Sequence, residues 1–286
     1  MSLLELAKQL EATAEVLHTP SGRGHMVWHE WGSGDPIVLL HGGSGAWNHW
    51  LKNIEMLSQN YRLIVADIPG LGDSDDPPFK FDHKDYPTGV RKLAEIMSLG
   101  IETILGNMRF HLCGFSFGSI VGSYVAAAAG LRLKSFTLVG SSAFGWPWGG
   151  LKKPFLSMHS DMTQDERVAV QQANLANAML TSEVGKDLAR MQLNNVSRAR
   201  LRSHLITETD VLLPGLRAVT APLNGIWGGE DIYAQPNLGR IESLLRELDP
   251  EAFFEIIDGA GHWVMMDAPE EFNSRLMMAL EPRGRR

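Results

Sequence analysis

The sequence predicts an α/β fold with a mostly parallel central sheet flanked by helices. Short apolar runs rich in β-branched and aromatic residues alternate with longer segments of helical period, which is typical of βαβ units. With 286 residues, 44% of them hydrophobic, the chain can bury a large core. The predicted strands are Met26–Trp31, Pro36–Leu40, Leu63–Asp67, Arg109–Cys113, Ser135–Gly140, Leu223–Trp227 and Phe253–Ile257, with helices in most of the intervals.

One long segment interrupts this alternation. Residues 145–216 contain no predicted strand and have helical composition, most clearly at Thr163–Leu180 and Ser182–Gln192. Because long loops without structure are uncommon in compact domains, we expect a helical cap inserted after the strand that precedes it. The predicted core is then residues 19–144 and 217–286.

The N-terminal residues 1–18 form a second appendage, which we predict to be an amphipathic helix. Its apolar face would pack either on the core or on another subunit, so a homo-oligomer stays open. The residues spaced along that face are Leu3, Leu6, Leu10 and Ala14.

Composition favours small-molecule chemistry. The 33 acidic residues exceed the 26 basic ones and no basic stripe is interleaved with aromatics, which argues against a nucleic-acid partner. The single cysteine, Cys113, excludes an intrachain disulfide and a cysteine-based zinc site. No signal-peptide run and no uncharged run of membrane-spanning length is present. We therefore expect a cytoplasmic protein with a small-molecule substrate.

A nucleophile motif follows the predicted strand that ends at Cys113. Gly114-Phe115-Ser116-Phe117-Gly118 has the pattern G-x-S-x-G, and the small-residue run Ser119–Ala129 after it has helical character. A serine between strand and helix sits on a sharp turn, where flanking side chains would collide with backbone and glycine is needed. The context favours Ser116 as a nucleophile over a plain glycine-rich turn.

A serine hydroxyl needs a positioned imidazole to accept its proton. His262 is the best placed histidine, because it lies just beyond the last predicted strand, where a loop can bend back over the sheet. His111 falls inside a strand, and His159 and His204 fall in the predicted cap. We therefore predict His262 as the general base.

The imidazole in turn needs an anion to fix its tautomer. Two carboxylates, Glu230 and Asp231, follow the strand Leu223–Trp227, and the sequence alone allows either of them.

Acyl transfer also needs backbone amides aimed at the oxygen that becomes negatively charged. Phe117, directly after the nucleophile, supplies one, and Gly43 in His41-Gly42-Gly43-Ser44-Gly45 is predicted to supply the other. The same glycine-rich loop could hold a phosphate, but the P-loop lysine and the full dinucleotide pattern are missing.

These motifs resemble the α/β-hydrolase superfamily over the region from Pro36 to Glu271. The resemblance implies an α/β-hydrolase fold with a helical cap inserted after the sixth strand, and a triad in the chain order serine, aspartate, histidine. Trp227-Gly228-Gly229-Glu230-Asp231 is similar to the family's W-G-x-x-D loop, which selects Asp231 as the acid. Asp67-Ile68-Pro69-Gly70-Leu71-Gly72-Asp73-Ser74-Asp75 resembles a family turn of structural role. Haloalkane dehalogenases and epoxide hydrolases place an aspartate where this chain has Ser116.

Tryptophans suggest an apolar substrate pocket, or else only packing between core and cap. Trp47 and Trp50 follow the oxyanion loop, Trp146 and Trp148 open the predicted cap, and Trp263 follows His262. The predicted substrate contacts are Ser44, Trp146 and Trp263.

The sequence ranks an esterase narrowly above a carbon–carbon hydrolase. Gly261-His262-Trp263 is similar to a motif of hydrolases that cleave dienoate ring-cleavage products, and the cap arginines Arg190, Arg198, Arg200 or Arg202 could hold such a carboxylate. Against this, the elbow Gly-Phe-Ser-Phe-Gly-Ser and the oxyanion loop depart from that subgroup. The elbow also has a weak likeness to perhydrolases.

A ligand-binding protein of the same fold with little turnover is the alternative of another class. The esterase scheme requires no metal and no organic cofactor.

Overall fold

Eight strands form one sheet in the order β1-β2-β4-β3-β5-β6-β7-β8 in this computed structural model, which describes residues 1–82, 84–151, 153–203 and 206–282. The pairs β1–β2 and β2–β4 are antiparallel and the other five are parallel. The predicted mostly parallel sheet is therefore confirmed. The strands are β1 Glu15–Ser21, β2 Gly24–Trp31, β3 Asp35–Leu40, β4 Tyr61–Ala66, β5 Phe110–Phe115, β6 Leu133–Val139, β7 Leu223–Gly228 and β8 Phe253–Ile257.

Helices cover both faces of this sheet and fill the interval between β6 and β7. Two apolar clusters, one on each face, enclose the central strands, and residues 37–40 of β3 are completely buried. A strand covered on both faces has a continuous apolar run, and for this reason β3 could be predicted from the sequence. The helices are α1 Leu3–Thr13, α2 Leu51–Leu57, α3 Tyr86–Leu105, α4 Phe117–Ala129, α5 Gln164–Ala178, α6 Lys186–Arg198, α7 Leu212–Arg217, α8 Leu238–Leu248, α9 Val264–Asp267 and α10 Pro269–Leu280.

The N-terminal helix α1 is shorter than the predicted helix 1–18. It begins with a capping box at Ser2, and the chain then enters β1 at Glu15, a strand that the sequence analysis missed. β1 is an edge strand with mostly exposed side chains, so it lacks the apolar alternation that marks the other strands. The apolar face of α1 packs on α2 and α6 of the same chain, and Leu10 is buried there.

The helices between β6 and β7 pack in two different places. α5 and α6 pack on each other, whereas α7 packs on α4, where the Tyr124 hydroxyl donates to the Val211 carbonyl at 2.8 Å. α7 therefore belongs with the core helices although it lies largely inside the predicted cap, residues 145–216. Within the described ranges, no helix is long and apolar enough to cross a bilayer.

Candidate active site

Ser116 lies on a strained turn between β5 and α4. Its backbone has φ +50° and ψ −114°, outside the conformations that most side chains adopt. The turn is held by the Ser116 amide, which donates to the Val139 carbonyl at 2.8 Å. A β-carbon added at Gly114 would lie 2.6 Å from the Gly118 carbonyl oxygen, so strand and helix approach more closely than a side chain allows. This geometry explains the two glycines of the motif.

The structure brings Ser116, His262 and Asp231 together from three separate loops. The Ser116 Oγ lies 3.2 Å from His262 Nε2, and His262 Nδ1 lies 2.9 Å from Asp231 Oδ2. His262 is 4% exposed and Asp231 is completely buried, so water does not compete for the bond between them. Glu230, the competing carboxylate, makes no such contact within the described part of the chain. A proton can pass from the serine hydroxyl to an imidazole that a carboxylate orients.

Two aromatic rings lie beside His262, one from the end of β5 and one from the loop after β7. The Phe115 ring centroid lies 5.1 Å from the imidazole and that of Tyr233 lies 4.5 Å from it. The Tyr233 amide donates to Asp231 Oδ1 at 2.9 Å, which fixes the second carboxylate oxygen. Burial, with the nearby Asp231 charge, raises the pKa of Tyr233 to about 12, so its phenol stays neutral. The sequence analysis missed Tyr233, although it lies two residues after the predicted acid.

The loop after β3 lies against the start of α4. A β-carbon added at Gly43 would be 3.9 Å from the Phe117 β-carbon, so the two predicted oxyanion donors are neighbours. Phe117 is the first residue of α4, and its amide therefore has no acceptor within the helix. The amide of Gly42 donates to His49 Nδ1 at 3.3 Å, so of the two adjacent glycines Gly43 is the better candidate for the oxyanion donor.

Two buried histidines support this loop as neutral groups. Burial lowers the pKa of His41 to about 4 and that of His49 to about 3. The His41 imidazole accepts the Ile68 amide at Nε2 and donates from Nδ1 to the Gly42 carbonyl at 2.7 Å. The sequence analysis passed over His49, because nothing in its local sequence distinguishes it from a core histidine.

The three predicted substrate contacts have different environments. Ser44 is half-buried in the oxyanion loop with φ +50°. Trp146 is half-buried, stacks on Phe144 at 5.3 Å and lies under the Arg240 guanidinium at 4.2 Å. Trp263 is completely buried, and its indole N–H donates to the His49 carbonyl at 3.2 Å. Trp263 therefore packs behind the site, and the structure does not support it as a substrate contact.

Three of the four predicted cap arginines are paired with carboxylates of the protein. Arg190 lies 3.6 Å from Asp165, while Arg198 contacts Asp73 and Arg200 lies 2.6 Å from Asp76. The last two pairs join the cap region to the turn after β4. A substrate carboxylate at any of these three arginines would therefore compete with a protein carboxylate, whereas Arg202 is exposed.

The cap region also places a hydroxyl beside the oxyanion loop. A β-carbon added at Gly43 would lie 2.6 Å from the Ser203 Oγ, and Ser203 is largely buried. A pocket of about 750 Å³ opens between α5 and the loops that carry Asp231 and His262. Its lining includes Ile232 and Gly261 but not Ser116, so it adjoins the three-residue cluster rather than containing it.

The other histidines considered in the sequence lie elsewhere. His111 is buried in β5 and contacts the Ser135 hydroxyl at 2.7 Å, and His159 is exposed. His204 lies outside the described residues. The described ranges contain no group of three or more His, Cys, Asp or Glu side chains that could hold a metal ion.

Residues 35–197 of the chain match the family model of the α/β hydrolase fold. The chain belongs to the α/β hydrolase fold family. Its predicted membership in that superfamily is therefore confirmed, and relatives that match it over most of its length include named hydrolases.

Curated relatives include both ester and carbon–carbon hydrolases. The chain is 28% identical over 88% of its length to a Pseudomonas putida protein, the dihydrolipoyllysine-residue acetyltransferase component of an acetoin cleaving system, and spans 66% of that protein. It is 26% identical to a 2-hydroxy-6-oxononadienedioate/2-hydroxy-6-oxononatrienedioate hydrolase of Paraburkholderia phymatum, covering 93% of this chain and 95% of the relative. It is also 26% identical to a pimeloyl-[acyl-carrier protein] methyl ester esterase of Vibrio campbellii, covering 87% and 95%.

A solved structure shows the same fold along almost the whole chain. The naproxen esterase of Bacillus subtilis superposes with a TM-score of 0.70 at 20% identity, covering 98% of this chain and 97% of the esterase.

Proposed function

We propose that this protein is a serine esterase that cleaves carboxylic esters of small apolar or aromatic substrates, with Ser116 as nucleophile, His262 as general base and Asp231 as the orienting acid. The observation that carries the proposal is the chain of two contacts, 3.2 Å from Ser116 Oγ to His262 Nε2 and 2.9 Å from His262 Nδ1 to Asp231 Oδ2. Both distances lie within or at the edge of hydrogen-bond range, which general-base catalysis requires.

In the acylation step, His262 Nε2 takes the Ser116 proton as Oγ attacks the ester carbonyl. The carbonyl oxygen becomes an oxyanion that the Gly43 and Phe117 amides receive. The imidazolium, stabilised by Asp231, then returns its proton to the alkoxide leaving group, and the acyl-serine remains.

In the deacylation step, His262 takes a proton from water, and the resulting hydroxide attacks the acyl carbonyl. The proton returns to Ser116 Oγ as the carboxylic acid leaves. The α4 N-terminus favours negative charge at the oxyanion position in both steps, because the helix dipole is positive at that end.

The ester substrate is supported by a relative that is named as an esterase and by the aromatic side chains near His262. The Vibrio campbellii relative is named as a methyl ester esterase. Tyr233 is half-buried beside the imidazole, with ring centroids 4.5 Å apart, and the half-buried Trp148 stacks on it at 5.0 Å. An apolar or aromatic group would pack well against such side chains.

Carbon–carbon bond hydrolysis of a vinylogous diketone dienoate is the second candidate. It is favoured by the Paraburkholderia phymatum relative and by the Gly261-His262-Trp263 sequence. The pairing of Arg190, Arg198 and Arg200 with Asp165, Asp73 and Asp76 counts modestly against it, because a dienoate carboxylate would compete with a protein carboxylate in solvent-exposed ion pairs. The elbow Gly-Phe-Ser-Phe-Gly-Ser also departs from that subgroup. We therefore prefer ester hydrolysis as the activity of this protein.

The test compares p-nitrophenyl esters of increasing acyl length with a dienoate ring-cleavage product, using the wild type and Ser116→Ala. Ser142→Ala is a matched control, since its buried hydroxyl has no hydrogen-bond partner in the described structure. Fast ester cleavage that Ser116→Ala abolishes and Ser142→Ala retains supports the esterase. Preference for the dienoate supports the second candidate. Ligand binding without turnover in the wild type would favour a binding protein.

A further inference from the structure

One cap residue, Gln192 of α6, inserts its side-chain amide into the loop that follows β3. Its Nε2 donates to the Ser44 carbonyl at 3.1 Å, and its Oε1 lies 3.0 Å from His49 Nε2. Asn195, one turn further along α6, donates to the same Oε1 at 3.2 Å. Gln192 is 7% exposed, so these bonds are shielded from water and their loss is costly.

The other end of the same loop is held through His49. Its Nδ1 accepts the Gly42 amide at 3.3 Å while its Nε2 contacts Gln192, so the imidazole connects the two. Gln192 therefore acts on both residues that flank Gly43, on Ser44 directly and on Gly42 through His49. Gly43 is the residue whose amide we assigned to the oxyanion.

The loop needs such support because of its own backbone. Ser44 has φ +50°, a left-handed conformation that is energetically unfavourable for a residue other than glycine. The bond from Gln192 to the Ser44 carbonyl stabilises the peptide unit that follows this strained residue.

The direction of each bond follows from the neutral state of His49. An imidazole that accepts at Nδ1 must carry its proton on Nε2, which makes His49 the donor to Gln192 Oε1. The side-chain amide of Gln192 then donates to Ser44 and accepts from His49. No side chain that lacks either an acceptor or a donor can make both contacts.

We propose that Gln192 is a positioning residue through which the cap sets the direction of the Gly43 amide and so completes the oxyanion hole. The proposal rests on the serine esterase function proposed above. Gln192 touches neither the nucleophile nor the base, and its effect on the reaction passes through Ser44, His49 and Gly43.

The test is Gln192→Met, which keeps the length of the side chain but removes the donor and the acceptor. With a p-nitrophenyl ester we expect kcat to fall by about 10- to 100-fold while KM changes little, because an oxyanion contact acts mainly in the transition state. The inhibition constant of a trifluoromethyl ketone, whose adduct with the nucleophile carries an oxyanion, should rise by the same factor. Gln192→Asn, which retains a shorter amide, should give a smaller loss.

Two controls separate positioning from general damage to the cap. Gln172→Met makes the same change in α5, where the side chain donates only to the Val184 carbonyl within the cap region. Asp76→Asn removes the ion pair between Arg200 and the turn after β4, and neither partner hydrogen-bonds to the loop after β3 in the described structure. Both controls should keep wild-type kcat and ketone affinity, and all variants are compared at equal folded fraction.

The proposal is overturned if Gln192→Met and Gln192→Asn keep wild-type kcat and ketone affinity. It is also overturned if Gln172→Met or Asp76→Asn loses as much as Gln192→Met, since the loss then reports cap stability. Ser116→Ala separates failure of the proposed function from failure of the positioning role. If Ser116→Ala keeps full turnover, the proposed function is refuted. If Ser116→Ala loses turnover but the Gln192 variants are unaffected, only the positioning role is refuted.

Discussion

Asp231 contacts His262 through one carboxylate oxygen and the backbone of Tyr233 through the other. Oδ2 lies 2.9 Å from His262 Nδ1, and Oδ1 accepts the Tyr233 amide at 2.9 Å. The Tyr233 amide therefore fixes the orientation of the carboxylate, which in turn orients the imidazole. Asp231 is completely buried. Glu230, its neighbour in the chain, has no such arrangement.

This difference predicts unequal effects of two neutralising substitutions. Asp231→Asn presents an amide to His262 and favours the wrong tautomer, so kcat for a p-nitrophenyl ester should fall by about 10³- to 10⁴-fold. Glu230→Gln should leave kcat near that of the wild type. Steady-state kinetics on the two variants side by side is the measurement. A larger loss for Glu230→Gln than for Asp231→Asn would show that Glu230, and not Asp231, is the acid that orients His262.

The nucleophile turn predicts that Gly118 cannot accept a side chain. A β-carbon there would lie 2.6 Å from the His41 carbonyl oxygen, which is backbone and cannot rotate away. Gly118→Ala should therefore lower the free energy of unfolding by about 2–4 kcal/mol.

Gly239 in α8 is the matched control, because a β-carbon added there meets no atom within 4 Å. Gly239→Ala should raise the free energy of unfolding by up to about 1 kcal/mol. Urea unfolding of both variants provides the comparison, and equal stabilities would show that the strand and helix do not approach as closely as described.

A buried histidine predicts a pH dependence of stability. His29 packs beside the rings of Trp31 and Trp47, whose centroids lie 5.9 and 5.2 Å from its own and 5.5 Å from each other. Burial lowers the pKa of His29 from 6.5 to about 4. The unfolded chain takes up this proton below pH 6.5 and the folded protein only near pH 4. Acidification between these values therefore destabilises the fold through His29, by up to about 3 kcal/mol.

His29→Phe removes the titratable group while keeping a ring beside the two tryptophans. The stability of the variant relative to the wild type should increase as the pH falls from 6.5 to 4, and stay constant above pH 7. Urea unfolding at several pH values measures the difference. A constant difference across the whole range would mean that folded His29 titrates normally.

The position of Trp263 predicts a stability effect rather than a binding effect. Trp263 is fully buried against His49, with ring centroids 4.4 Å apart, and donates to the His49 carbonyl. Trp263→Phe should lower the free energy of unfolding by about 2 kcal/mol through the lost hydrogen bond and lost volume. KM for p-nitrophenyl esters should change little. A large rise in KM with unchanged stability would restore Trp263 as a substrate contact.

Sequence patterns were informative where a strand is buried on both faces or a backbone turn is sterically demanding. The run Pro36–Leu40 in β3 is continuous and apolar, and β5 and β7 are buried along their whole length. The glycines around Ser116 are needed for the close contact between strand and helix. Because the carboxyl ends of parallel strands meet at one edge of the sheet, the three loops that follow β5, β7 and β8 could be expected to converge.

The features that the sequence did not predict depend on tertiary contacts. β1 is an exposed edge strand whose partner, not its own composition, determines its conformation. Gln192 and His49 contact each other across 143 residues of chain, and neither belongs to a local motif. Trp263 follows His262 directly, yet only the packing around it shows that its side chain turns away from solvent.

The most direct test of the central claim is covalent labelling with a fluorophosphonate, followed by peptide mapping. If His262 and Asp231 activate Ser116, the wild type should take up one label, on the peptide that contains Ser116, with loss of esterase activity in proportion. Ser116→Ala should take up none, and Asp231→Asn should react much more slowly. Labelling of a different serine, or ester hydrolysis by Ser116→Ala at the wild-type rate, would contradict the account.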